Sequence, residues 1–135
     1  MAHIHETIAV EVDPQQVWEI AGDPGQIADW VPALSSSREE AGHRHCTMTN
    51  GAELEERILG HSDDERSYEY EIVEAPMPIR SYWSRLSVHG HDGHSHIDWQ
   101  AEFEPEQPEQ EAELVDAFTR TYREGLESLR RRLES

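Results

Sequence analysis

Residues 81–103 read SYWSRLSVHGHDGHSHIDWQAEF, two alternating runs about a central Asp92-Gly93. An Asp-Gly pair between alternating runs is a strong short-range signal for a two-residue hairpin turn, because both residues accept the positive φ that such a turn demands. A turn there sets Val88 against Ile97, Leu86 against Trp99, Ser84 against Ala101 and Tyr82 against Phe103 on one face. The other face matches Ser87 with Asp98, Arg85 with Gln100 and Trp83 with Glu102. A slip of one residue would mix apolar and polar faces, so the register is set by the pattern itself. The stretch predicts a long antiparallel hairpin with one buried face.

The same alternation extends upstream. Residues 34–40, 43–49, 53–59, 66–74, 80–91 and 94–104 read as antiparallel strands, joined by turn chemistry at Asn50-Gly51, Gly60 to Asp64, Ala75-Pro76-Met77-Pro78 and Asp92-Gly93. Residues 3–12 form an opening strand with Ile4, Ile8, Val10 and Val12 on one face, although Glu6 falls on that apolar side. Asp13-Pro14 and Asp23-Pro24 each supply an N-cap acceptor followed by proline at the first helical position, so two short helices follow the first strand. Residues 105–113 are an acidic linker. Leu114, Phe118, Tyr122, Leu126, Leu129 and Leu133 then recur at spacings of three and four, the apolar stripe of one long helix.

Composition alone points elsewhere. Leu, Ile, Val and Phe make up 25 of 135 residues, and 11 arginines against 29 acidic residues leave a net charge of −18 with no lysine. Few large apolar residues with high net charge is the usual mark of disorder. The ordered alternation and the helix stripe overrule it. The charge excludes general nucleic-acid binding and attraction to an anionic membrane surface. No run reaches the ~20 apolar residues of a membrane-spanning helix, and the first residues lack a signal-peptide pattern. A single domain over 1–135, cytoplasmic, and a monomer or weak homodimer, is expected. Surface carboxylate without lysine further suggests a salt-adapted, halophilic setting.

The order of these pieces resembles the SRPBCC superfamily (START-like, birch-pollen-allergen-like). Within it, the chain is similar to the bacterial polyketide cyclase/dehydrase-like group. The matching pieces are VDPQQVWEIAGDPGQIADWVP at 12–32, Gly42 with Arg44, GAELEERIL at 51–59, YEYEIVEAPMPIRSY at 68–82, IDWQAEFEP at 97–105 and YREGLESLRRRLE at 122–134. The resemblance implies an α+β helix-grip fold: a curved seven-stranded antiparallel sheet wrapped around a long C-terminal helix, with a cavity between them. Relatives hold lipids, sterols, polyketides or aromatic hormones there, and a few catalyse cyclisation or dehydration. The family has no shared catalytic triad, so membership does not decide activity.

The Asn50-Gly51 hairpin, given a three-residue loop, puts Cys46 and Met48 on one face with Leu54, Glu56 and Ile58, and sets Arg44 opposite Ile58 and diagonal to Glu56. An isolated buried charge is costly, so an inward Arg44–Glu56 pair is expected. Together with Tyr70 it forms the candidate acid–base set; the alternative is a structural ion pair tying two strands. Tyr68, Tyr70, Tyr82, Ser84, Leu86, Trp99, Phe103, Phe118 and Tyr122 are candidate cavity walls, each also explicable as ordinary core. Trp18 and Trp30 are expected to pack the open end of the sheet.

His89, His91, His94 and His96 pair across the turn, a spacing that suits a divalent transition metal. No carboxylate is forced into place beside them, so a solvated polar tip is the simpler expectation and no metal site is assigned. Cys46 reads as a small buried residue. No Walker loop, dinucleotide fingerprint, CxxC pair or HExxH is present, and no cofactor is expected. The leading function is binding of an apolar or amphipathic small molecule. The alternatives are a polyketide cyclase or dehydratase, and an interaction module on the outer sheet face, where Trp83 would be exposed.

Overall fold

The computed structural model describes all residues, 1–135. Seven strands form one antiparallel sheet: β1 (Ala2–Val10), β2 (Leu34–Glu40), β3 (His43–Met48), β4 (Glu53–Ser62), β5 (Ser67–Glu74), β6 (Ile79–His91) and β7 (His94–Pro105). Helix α1 (Pro14–Ala21) and a 3-10 helix (Pro24–Asp29) follow β1, and α2 (Glu111–Glu134) closes the chain. The spatial order is β1-β7-β6-β5-β4-β3-β2, so the first strand pairs with the last. The sheet curves around α2 in the helix-grip arrangement. No helix is long and apolar enough to cross a membrane.

The β6–β7 hairpin has the expected register, from Tyr82 opposite Phe103 to His91 opposite His94. Asp92 and Gly93 take φ of 54° and 81°, as a two-residue primed turn requires. The loop between β3 and β4 differs from expectation. It spans Thr49 to Gly51, with Met48 N–H donating to Ala52 O at 2.7 Å and Gly51 at φ 90° in the left-handed position. The pairing therefore moves by two residues, and Arg44 lies directly opposite Glu56, not Ile58. A shift of two leaves every side chain on its expected face.

Several boundaries also differ; β1, read to Val12, ends at Val10. β4 runs past Gly60 to Ser62, because register shifts around Leu59 absorb the extra residue as a bulge and leave Leu59 facing solvent. Strand β7 reaches Pro105, and α2 begins at Glu111, inside the segment read as a linker. Asp13 does not cap α1 with its side chain; its carboxylate accepts from Gly93 N–H at 3.4 Å. Asp23, by contrast, accepts from Gly25 N–H at 3.1 Å and caps the 3-10 helix.

Helix α2 buries Leu114, Phe118, Tyr122, Leu126 and Leu129 of the predicted stripe, and Leu133 at its end is half-buried. Glu111 and Glu113 stand in its first turn and Arg131 and Arg132 in its last, complementing the helix dipole. Gly125 lets the helix approach closely: a Cβ there would lie 3.2 Å from the Trp99 ring and 3.3 Å from Val31 Cγ2. Trp30 packs against Trp99 with ring centroids 5.3 Å apart. Glu6, the odd residue on the inner face of β1, accepts from Arg123 Nε of α2 at 3.0 Å and so ties strand to helix.

Candidate functional site

Two polar clusters are built into this otherwise apolar interior. The first joins β3, β4 and β5. Arg44 and Glu56 are the only buried charged residues of the chain. Arg44 Nε donates to Glu56 Oε1 at 2.6 Å, and Nη1 donates to Tyr68 OH at 3.0 Å and to Pro24 O at 3.2 Å. The guanidinium carbon lies 4.5 Å from the Tyr70 ring centroid, a cation–π distance. Burial by itself would lower the Arg44 pKa, but the Glu56 charge beside it and the two tyrosines outweigh this and hold it above its ordinary value. Arg44 Nη2 is buried and without a partner. Cys46 Sγ donates to Glu56 Oε1 at 3.7 Å, and burial, reinforced by the carboxylate, pushes its thiol up to about 12.

The second cluster joins β6 and β7 to α2. Ser84 Oγ donates to Gln100 O at 2.8 Å, which uses its only proton. Tyr122 must then donate to Ser84 Oγ, 3.0 Å away, and Tyr82 to Tyr122 OH. Trp99 Nε1 is shared between Ser84 Oγ at 3.1 Å and Tyr70 OH at 3.2 Å. The Trp99 and Tyr122 rings stack with centroids 3.9 Å apart. Burial raises the pKa of Tyr68, Tyr70, Tyr82 and Tyr122, so all four remain neutral hydroxyls at neutral pH.

Between the clusters lies a cavity of about 80 Å³. Of the candidates read from the sequence, Glu56, Tyr70, Tyr82, Trp99, Phe118 and Tyr122 line it. Arg44, Tyr68, Ser84, Leu86 and Phe103 do not: they are buried behind the wall or in the surrounding core. Ten further residues border the cavity: Ile27, Val31, Ala33, Leu34, Cys46, Met48, Leu54, Ile72, Met77 and Thr121. Cys46, Met48 and Leu54 share the inner face with Glu56, so their alternation was a usable signal. Met77, Val31 and Ala33 come from turns and loops, Ile27 from the short 3-10 helix and Leu34 from the first position of β2, where too few turns or alternations mark an inward side chain. Glu56 is the only charged residue on the wall, and Thr121 Oγ1 is bonded to Ala117 O of its own helix at 3.1 Å.

The histidine pairs His91/His94 and His89/His96 are opposite one another as registered. Three of the imidazoles turn to separate carboxylates: His89 to Asp98 at 3.5 Å, His91 to Asp92 at 3.7 Å and His94 to Glu11 at 2.9 Å. No three metal-ligating groups converge. Trp83 is half-buried, not exposed, and donates from its indole nitrogen to Glu69 at 2.9 Å. Trp18 donates to Asp63 Oδ1 at 2.9 Å and packs beside Tyr68.

A curved antiparallel sheet closed over a long helix, with an apolar cavity between them, defines a START-like protein. The chain belongs to the family of polyketide cyclases/dehydrases and lipid transport proteins, whose pattern it matches over residues 1–134. No curated protein matches it. Among solved structures it is similar to the protein XoxI from Bacillus cereus, at 29% identity and a TM-score of 0.94, covering 100% of this chain and 97% of that one. An uncharacterised protein from Bacillus thuringiensis is 28% identical with a TM-score of 0.88, covering 99% and 100%. The Zhui aromatase/cyclase from Streptomyces sp. R1128 shares the fold, with a TM-score of 0.83 at 16% identity over 98% of this chain and 93% of that one.

Proposed function

We propose that the chain binds an apolar or amphipathic small molecule, lipid-, polyketide- or aromatic-like, in the cavity between sheet and α2. One observation carries this reading: a cavity walled almost wholly by apolar and aromatic side chains admits a single carboxylate, that of Glu56. Such a wall with few polar anchors is the usual make-up of a small-molecule site. Its volume of about 80 Å³ suits a molecule of roughly one ring. It falls below the ~300 Å³ at which drug-sized sites begin. Larger ligands need side chains to give way, and Met48 and Met77 on the wall are the pliable ones.

The cyclase or dehydratase alternative draws on Glu56 and Tyr70 as a proton acceptor and donor bordering one cavity. It is weakened by Arg44, which is committed to Glu56, Tyr68 and Pro24 and does not reach the cavity.

Native mass spectrometry of the chain purified from its own source tests the binding reading. A retained small molecule, lost on unfolding, is expected. Adding that molecule at ~100 times its Kd then stabilises the fold by about 2.7 kcal/mol without turnover. A chain that carries nothing, and whose melting temperature no apolar compound raises, would sink the reading. Conversion of the retained molecule would favour the enzyme.

A further inference from the structure

We propose that Glu56 and Tyr70 make the cavity selective for a neutral hydroxyl-bearing ligand and exclude carboxylic acids; this rests on the binding reading above. Few polar atoms on the wall are still free to bond a ligand. Both hydrogen bonds to Glu56, from Arg44 Nε and Cys46 Sγ, fall on Oε1, and Oε2 receives none. Glu56 borders the cavity, so it offers an acceptor there. Tyr70 OH accepts from Trp99 and has no acceptor of its own within hydrogen-bond distance, so its proton can turn to a ligand, with the Tyr122 hydroxyl as the competing partner. The protons of Tyr82, Tyr122 and Ser84 are used in the relay that ends at Gln100 O. The cavity therefore presents one free donor, Tyr70, and one charged acceptor, Glu56; the neutral oxygens of Tyr82 and Thr121 also border it but can only accept.

A hydroxyl is the group that satisfies both, because it donates once and accepts at the same oxygen. A carboxylate only accepts. It would bring a second negative charge beside Glu56, while the one buried cation, Arg44, stands behind the wall and is already paired. An ammonium only donates, and since Arg44 already balances Glu56 it would leave an uncompensated positive charge out of water. Family resemblance does not give this selectivity; it follows from Arg44 facing away from the cavity while Glu56 faces into it.

The test uses three probes of nearly equal size, benzyl alcohol, benzylamine and benzoate, titrated at pH 7 into the isotope-labelled chain and followed by amide NMR shifts. Benzyl alcohol is expected to perturb the amides of Tyr70, Ile72 and Phe118 and to bind at least tenfold more tightly than benzoate, with benzylamine between. In Glu56→Gln the benzoate penalty shrinks severalfold, because the amide can donate where the carboxylate repelled. The three-probe comparison is made on the unaltered chain, so it stands even if that variant folds poorly. Benzoate binding as tightly as benzyl alcohol would overturn the selectivity and leave the cavity as a binding site. Failure of all three probes up to their solubility limits would overturn the binding reading itself, and the selectivity with it.

Discussion

Arg44 carries five N–H donors and the fold uses three of them, on Glu56, Tyr68 and Pro24. Such a residue is held in place by its partner's charge, not by a full set of hydrogen bonds. Truncating Glu56 leaves the guanidinium buried and uncompensated, which typically costs 3–5 kcal/mol, on the order of a third of a domain's stability. Glu56→Leu is therefore expected to lower the urea-unfolding free energy by about that much, whereas Arg44→Met with Glu56→Leu recovers much of the loss. A double variant no more stable than the single one would show that the pair does not act as a unit.

The four tyrosines are the chain's full complement and all are buried, with their hydroxyls held above the ordinary value by desolvation. As pH rises through ~10 the unfolded chain gives up these protons while the folded one keeps them. The unfolded state then binds fewer protons, so stability falls with pH in that range and is fully present below it. Cys46, raised to about 12, pulls in the same direction from its lower ordinary value. Tyrosinate absorbance should appear only in the same transition as loss of the far-ultraviolet circular dichroism. Gradual tyrosine ionisation in a chain still folded would contradict the buried relay.

Helix α2 and the strands beneath it were legible in the sequence to different depths. The stripe from Leu114 to Leu129 was plain, because a helix with one wet face repeats at 3.6 residues. The place where α2 comes closest to the sheet was not, because it is marked by the smallness of Gly125 and not by a hydrophobic signal. Gly125→Val is expected to cost about 1–3 kcal/mol through overpacking against Trp99 and Val31, despite removing a helix glycine. Thermal unfolding of that variant at or above the parent's midpoint would show that the helix can back away freely.

Alternation along a strand reports which face a residue takes, and only modulo two where along its neighbour it lies. The β3–β4 loop therefore admitted two placements with identical faces, and Gly51 at the left-handed position selects the one formed. The same limit applies to the site. Alternation put Leu86, Ser84 and Phe103 inside along with Tyr70 and Trp99, but it carries no depth, so wall and backing could not be told apart. The roles of Glu6 and Asp13 were hidden for another reason: their partners, Arg123 and Gly93, lie far along the chain and meet them only in the finished fold.

Across the whole molecule the net charge of −18 is borne by the outside, since Glu56 is the only acidic residue in the interior. Raising ionic strength from 0.1 to 1 M shortens the screening length from ~10 to ~3 Å and should relieve this self-repulsion. The midpoint of thermal unfolding is expected to climb with KCl over that range. A flat response would mean that the carboxylates are spaced widely enough not to strain the fold.

The pairing of β1 with β7 has a consequence for how the chain is made. Ala2 finds Phe103 and Ile8 finds Ile97, so the first strand has no neighbour until about a hundred residues have been synthesised. At ~5–20 residues per second a ribosome leaves it waiting for roughly 5–20 s. During that delay Ile4, Ile8 and Val10 are without their sheet partner, and Glu6 with His3 and His5 is what keeps the nascent segment from joining a neighbour's. Sheet closure is thus deferred until β7 has been made, and a stall before that point would release a product whose opening strand has nothing to pair with.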